Sequence, residues 1–271
     1  MDIASEGPNA GATEQRAVIT GGSRGIGFAV ARRLVANGAK VLLVARDPAT
    51  LEAAVGILNQ IRPGSAAGLP CRVDGQERTA RLIVDNALRQ WGRVNLLLNA
   101  AGGATVASVL DAPWDVWRSD FEVKFWGYLS LLRAVMPAFR EAGGGVAVNI
   151  LGVAGKDPSV RLPIASAING ALRNVTKVLA DVGAADAIRI VNVNPGATET
   201  DLLPDMARGT ARLLGRDPAV VLAEMRANAP FGRLPAADDI AECVLFLMSS
   251  HASFITGTSI DVDEGVHRGP A

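Results

Sequence analysis

The stretch Thr20-Gly21-Gly22-Ser23-Arg24-Gly25-Ile26-Gly27 constrains this chain more than any other. The apolar run Ala17-Val18-Ile19 leads into it, and an amphipathic run with Ile26, Val30, Leu34 and Val35 leads out. That order predicts a strand, a tight glycine turn and a helix. Glycine admits a positive φ and lets a ligand approach the main chain closely. The helix directs its free N–H groups and the positive end of its dipole at the turn. A diphosphate fits that environment.

The same alternation continues along the chain. Strand-like runs cover Lys40–Ala45, Ala67–Val73, Val94–Leu98, Val146–Leu151, Ile188–Val193 and Thr258–Val262. Helix-like runs cover Pro48–Ile61, Gln76–Trp91, Asp111–Arg140, Pro163–Val182 and Asp238–Met248. A further run, Asp201–Asn228, is mostly helical but broken by Gly209, Gly215 and Pro218. Lys40–Ala45 and Val94–Leu98 are almost continuously apolar, as expected of strands covered on both faces. The expected fold class is α/β, a single-domain doubly wound (Rossmann) parallel sheet of about seven strands with helices on both faces. The 271 residues suit one such domain, spanning 15–271. Residues 1–14 are polar and lack the basic start and apolar middle of a signal peptide, so they read as a flexible N-terminal tail.

Composition narrows the function classes. Lys+Arg and Asp+Glu both total 27, which gives no basic surface for nucleic acid or an anionic membrane. There is no apolar run of about 18 residues for a membrane span. The two cysteines, Cys71 and Cys243, lack a CxxC or His-rich partner set. They read as reduced thiols in a cytoplasmic protein, with no metal site. In an open parallel sheet, ligands bind beyond the carboxyl ends of the strands. The residues to examine there are Gly21–Gly27, Arg46, Asp74, Asn99–Gly102, Gly152–Gly155 and Asn194–Thr200.

Five motifs in order resemble the short-chain dehydrogenase/reductase family. They are Thr20-Gly21-xxx-Gly25-x-Gly27, Asn99-Ala100-Ala101-Gly102, Asn194-Pro195-Gly196 followed by Thr200, Phe231-Gly232-Arg233-Leu234 with Asp238-Asp239-Ile240-Ala241, and Gly257 to Gly265. The resemblance implies a dinucleotide site. Gly21, Ser23, Arg24, Gly25, Ile26 and Gly27 would cradle the diphosphate. Asp74 would hold the adenine amino group. Asn99, Ala101 and Gly102 would flank the ribose and nicotinamide, with Pro195, Gly196, Thr198 and Thr200 opposite. At the end of the second strand an acidic residue would favour NAD, and an arginine NADP. Arg46 stands there and Arg24 in the turn, so the expected cofactor is NADP(H), with NAD(H) the lesser candidate.

The resemblance breaks at the chemistry. The family's hydride transfer rests on Asn, Ser, Tyr and Lys. Aligned through their flanking motifs, these positions hold Lys124, Gly152, Ala165 and Asn169. The only tyrosine, Tyr128, lies on a different helix and reads as core or subunit contact. An alanine has no proton to give, which sets Tyr-dependent carbonyl reduction aside. The exchange looks paired: a lysine is lost at Asn169 and one appears at Lys124. A lysine buried beside the ribose would have a lowered pKa and serve as a general acid. Lys124 and Asn169 are therefore the catalytic candidates, against a Lys124 that only fills space or snorkels to solvent. Ser166, Asp157 and Ser159 are lesser candidates. His251 and His267 read as remote from the strand ends.

The leading expectation is an NADP(H)-binding oxidoreductase with an atypical site, acting on a carbonyl-conjugated or other hydrophobic small molecule. The alternatives are an NADP(H)-binding protein without turnover, or a lyase or isomerase on the same scaffold. By resemblance, about 202–228 would be an apolar lid over the substrate. The family's pairing through 111–140 and 163–182 would make the chain a homodimer or homotetramer.

Overall fold

The computed structural model describes residues 14–267, so the tail expected at 1–14 lies, except for Glu14, outside the described residues. In chain order the elements are β1 (Arg16–Thr20), α1 (Gly25–Ala36), β2 (Lys40–Ala45), α2 (Pro48–Ile61), β3 (Ala66–Pro70), α3 (Glu77–Trp91) and β4 (Leu96–Asn99). There follow α4 (Trp114–Asp120), a π-helical segment (Phe121–Trp126), α5 (Gly127–Glu141), β5 (Gly145–Ile150), α6 (Pro163–Gly183) and β6 (Ile188–Pro195). The chain ends with α7 (Leu202–Leu214), α8 (Pro218–Ala227), α9 (Ala237–Met248) and β7 (Ser259–Val262). The strands form one parallel sheet in the order β3-β2-β1-β4-β5-β6-β7.

Side chains alternate across that sheet and build a core on each face. Ile19, Leu43, Leu98, Val148 and Val191 pack under α1, α2 and α9. Val18, Leu42, Leu97, Ala147 and Ile190 pack under α3 and α5. Both faces are covered, which explains the unbroken apolar runs of β2 and β4.

One row of the sheet is polar instead. Thr20, Asn99, Asn149, Asn192 and Ser259 stand side by side in the strand registers. Asn99 Nδ2 donates to Asn149 Oδ1 at 2.9 Å, and Asn149 Nδ2 donates to Asn192 Oδ1 at 3.1 Å. Thr176 of α6 donates to Asn192 Oδ1 at 2.8 Å, and Asn192 Nδ2 reaches Ser259 Oγ at 3.1 Å. A buried amide without partners is costly, so the ladder penalises any slip of register.

Three expectations need correction. β3 is shorter than 67–73, because the chain leaves the sheet after Pro70, freeing Val73 to pack on Gly127. The helix expected over 111–140 starts only at Trp114 and is not α-helical throughout: it runs unbroken to Glu141 with a π-helical segment inside it. Gly209 does not break a helix: it lies inside α7, where a Cβ would come within 2.8 Å of Val106 Cβ. Its role is close packing. Gly215, at φ +64, does end α7.

Candidate active site

The loops after β1 to β6 open at the carboxyl end of the sheet, and the glycine turn is the best defined of them. Gly21 N–H donates to Val44 O at 2.9 Å, hooking the turn onto the end of β2. A Cβ at Gly21 would lie 2.6 Å from Ala100 O, and one at Gly27 would lie 2.3 Å from Gly21 O. Neither position has room for a side chain. Gly25 has φ +55 and meets only Thr200, at 3.8 Å, so space is left between turn and Thr200. The Arg24 side chain does not cap α1, and the helix has no acid in its first turn. Its positive end is available to an anion. These features fit a dinucleotide diphosphate. Ser23 and Ile26 lie in the same turn and first helical residues, half-buried.

Around the turn, Arg24 and Arg46 are both exposed, and neither forms an ion pair among the described residues. The acid next to Arg46 is engaged elsewhere. Asp47 caps α2 by accepting from Thr50 N–H at 2.7 Å, and that bond holds its carboxyl below the usual range. Asp74 follows β3 and accepts from Gln76 N–H at 3.1 Å. Ala101 N–H donates to Thr20 Oγ at 3.3 Å. Pro195 ends β6, and the Thr198 hydroxyl donates to Gly196 O at 3.1 Å. Asn99 Nδ2 belongs to the polar ladder and supports the strand end, while its Oδ1 is buried with no partner among the described residues.

Lys124 sits within the π-helical segment, whose wider turn is a frequent feature of functional sites. Tight packing fixes that segment. A Cβ at Gly75 would lie 2.4 Å from Trp126 Cβ, and one at Gly127 would lie 2.4 Å from Val73 Cγ1. The Lys124 stem runs past Gly102, which has φ +127 and would place a Cβ 3.5 Å from Lys124 Cδ. Its ammonium is buried and donates to Leu151 O at 2.7 Å. The snorkelling alternative is therefore set aside. Burial pushes the Lys124 pKa down to about 8, and the field of Asp120 opposes that shift.

Leu151 leads into Gly152, at φ +119 and ψ 149, a region that a side chain enters only with strain. Asn169 Nδ2 donates to Gly152 O at 3.3 Å, while its Oδ1 is buried with no partner. An orphaned acceptor at this point suits a hydroxyl donor such as a ribose. Ala165 is buried on the same helix. Tyr128 is core: its hydroxyl donates to Ile150 O at 3.3 Å, and burial drives its pKa far above the ordinary value. Ser166 is used locally, donating to Leu162 O at 2.8 Å and accepting from Ser159 N–H at 3.1 Å. The lid region is a packed pair of helices. Leu203, Ala207, Ala211 and Val221 are buried within it, whereas Leu213 and Leu214 are exposed. Burial raises the pKa of both free thiols, Cys71 and Cys243. No metal-binding cluster and no helix long and apolar enough to cross a membrane occur among the described residues.

One ionic cluster escaped the sequence reading. Lys156, after β5, pairs with Asp261 of β7 at 2.6 Å, and Asn194 Nδ2 donates to the same carboxylate at 2.8 Å. His267 reaches Asp263 at 3.0 Å and Asp261 at 3.5 Å. Asp263 in turn packs on Gly196, where a Cβ would lie 3.1 Å away. His267 is thus beside the strand ends, contrary to expectation. The cluster ties the loop that carries Gly155, packed on Asn169, to the segment that carries Gly196. His251 is exposed, in a turn after α9.

Comparison with known proteins agrees with this geometry. A family model described as Enoyl-(Acyl carrier protein) reductase matches residues 21–267. The chain is 33% identical over 257 residues to 4-formylbenzenesulfonate dehydrogenase TsaC1/TsaC2 of Comamonas testosteroni, covering 93% of this chain and 97% of that protein. L-sorbose reductase from Gluconobacter frateurii, complexed with NADPH and L-sorbose, superposes with TM-score 0.86 at 27% identity, covering 94% and 97% of the two chains. The 3-ketoacyl-(acyl-carrier-protein) reductase from Brucella melitensis, complexed with NADH, gives TM-score 0.80 at 30% identity, covering 93% and 97%. Its structural neighbours thus include complexes with either nicotinamide cofactor. Sheet order, glycine turn and these likenesses together mean that the chain belongs to the short-chain dehydrogenase/reductase family.

Proposed function

We propose that the chain is an NADP(H)-dependent oxidoreductase in which Lys124, rather than a Tyr–Lys pair, is the polar group that meets the substrate. The observation that carries this reading is the buried Lys124 ammonium, hydrogen-bonded at 2.7 Å to the carbonyl of Leu151, beside Gly152 and Asn169. Ala165, also buried, has no hydroxyl to offer. The substrate class is a carbonyl-conjugated or other hydrophobic small molecule. By their names the relatives above are dehydrogenases or reductases of carbonyl compounds, which supports a carbonyl-containing substrate and goes no further.

The glycine turn and the start of α1 would hold the diphosphate, Asp74 the adenine, and Asn169 Oδ1 a ribose hydroxyl. Arg24 and Arg46 would grip a 2′-phosphate through charge-assisted bonds. When bound, the nicotinamide supplies or accepts hydride. Lys124 then stabilises negative charge on the substrate oxygen and carries the proton at Nζ. A homodimer or homotetramer belongs to the same proposal. It is supported by exposed Val178 and Val182 on α6 and exposed Trp126, and light scattering checks it.

Fluorescence titration with NADPH and NADH, followed by oxidation with a panel of enones and ketones, tests the reading. Turnover of NADPH by one of these substrates supports it. Tight NADPH binding with no turnover favours a cofactor-binding protein without redox activity. For the cofactor choice, Arg46→Asp is expected to weaken NADPH at least about tenfold while leaving NADH nearly unchanged. Equal losses for both would remove the NADP assignment.

A further inference from the structure

A buried cation normally has a carboxylate beside it. Lys124 does not: among the described residues its one hydrogen bond goes to a neutral carbonyl, Leu151 O. No ion pair includes it, and Asp120, about one helical turn back, acts only through its field. An ammonium has three donors. Leu151 takes one of them, which leaves donors without a protein acceptor.

The backbone next to Leu151 is open: a Cβ at Gly152 would meet nothing nearer than Asn169 Nδ2 at 3.4 Å. The groups that the bonds and contacts place around Lys124 are the Leu151 carbonyl, Gly102 along its stem and, one residue past Leu151, Gly152 with the Asn169 amide. None of them supplies negative charge.

We propose that the missing counter-charge arrives with the substrate, which carries a carboxylate next to its reacting carbonyl, as a small oxo acid does. This rests on the reading of Lys124 as the substrate-facing group, and it names what that group selects. An oxo acid presents a carboxylate oxygen and a keto oxygen side by side, matching the ammonium's remaining donors. The same contact gives a lysine a use in a site where a neutral side chain would be easier to bury. A neutral dicarbonyl offers similar shape and leaves the cation without its counter-charge.

The test is calorimetric binding to protein preloaded with NADP+. Benzoylformate is compared with 1-phenylpropane-1,2-dione, which replaces the carboxylate by a neutral acetyl group. Benzoylformate is expected to bind at least about tenfold more tightly. That preference should vanish in Lys124→Met. In the unaltered protein it should also weaken as pH rises above about 8, where the free amine loses its proton. Equal or unmeasurable binding of the two probes, on protein that has taken up NADP+, overturns the inference and leaves the cofactor reading standing. Failure to take up NADP+ in the preloading step overturns the cofactor reading itself.

Discussion

Lys124→Met is expected to make the protein more stable and much less active. The two effects share one cause. In the unfolded chain the Lys124 amine titrates near its ordinary value of 10.5; in the folded chain it titrates at about 8. Between those values the unfolded chain holds a proton that the folded chain has released, so stability rises with pH across that window. Below about 8 both states are charged, and the folded one carries the full desolvation penalty. That penalty is about 3 kcal/mol at most. Met has nearly the shape of the lysine stem and no charge, so the variant should gain up to about that much at pH 7, less the cost of leaving Leu151 O without its donor. The gain should shrink toward zero by about pH 10.5. Turnover should fall by a factor of about 100 or more, as for loss of a proton donor or an oxyanion stabiliser. NADPH affinity should be retained. A merely space-filling lysine would give the stability gain with no loss of rate. Denaturant unfolding at pH 7 and pH 10, with kcat measured alongside, separates the two.

The second large effect concerns the polar ladder. Asn149→Leu removes the central amide. It leaves Asn99 Nδ2 without an acceptor, and Asn99 Oδ1 already lacks a donor. Thr176 and Asn192 lose a neighbour as well. A wholly unsatisfied buried amide, with a branched side chain in the space of a planar one, should cost about 3–5 kcal/mol. Urea unfolding should show a lower midpoint with an unchanged slope. A loss below about 1 kcal/mol would mean that the asparagines act singly. The same variant should weaken nucleotide binding less than it weakens the fold, because the glycine turn keeps its bond to Val44 O.

The sheet was legible because its strands are buried on both faces. Hydrophobic runs such as Lys40–Ala45 have no other ready explanation. The glycine turn was legible because each glycine answers a local demand, positive φ at Gly21 and Gly25 and close approach at Gly27. What depends on pairing was not. Asn99 read as a residue flanking the cofactor, and nothing in the sequence linked it to Asn149 and Asn192, since only the register aligns them. The π-helical segment was hidden because its period differs too little from that of an α-helix over six residues. Gly209 read as a breaker because the sequence does not reveal that Val106 lies against it.

Candidate site residues divide along the same line. Lys124 became a candidate through the family motif that flanks it. Its bond to Leu151 O and its lack of a carboxylate partner are tertiary facts. The cluster of Lys156, Asp261, Asp263 and His267 lay beyond reach for the same reason. Lys156 comes from the loop after β5, and its partners come from β7 and the residues that follow it.

The pH dependence of kcat/KM for NADPH-driven reduction tests the central claim most directly. With Lys124 as the proton-carrying group, the rate should be level below about pH 8 and fall about tenfold per pH unit above it, because reduction requires the ammonium form. Lys124→Met should show no such limb. A profile that stays level through pH 8 and falls only near the ordinary phenol range of about 10, or a limb that survives in Lys124→Met, would contradict the account.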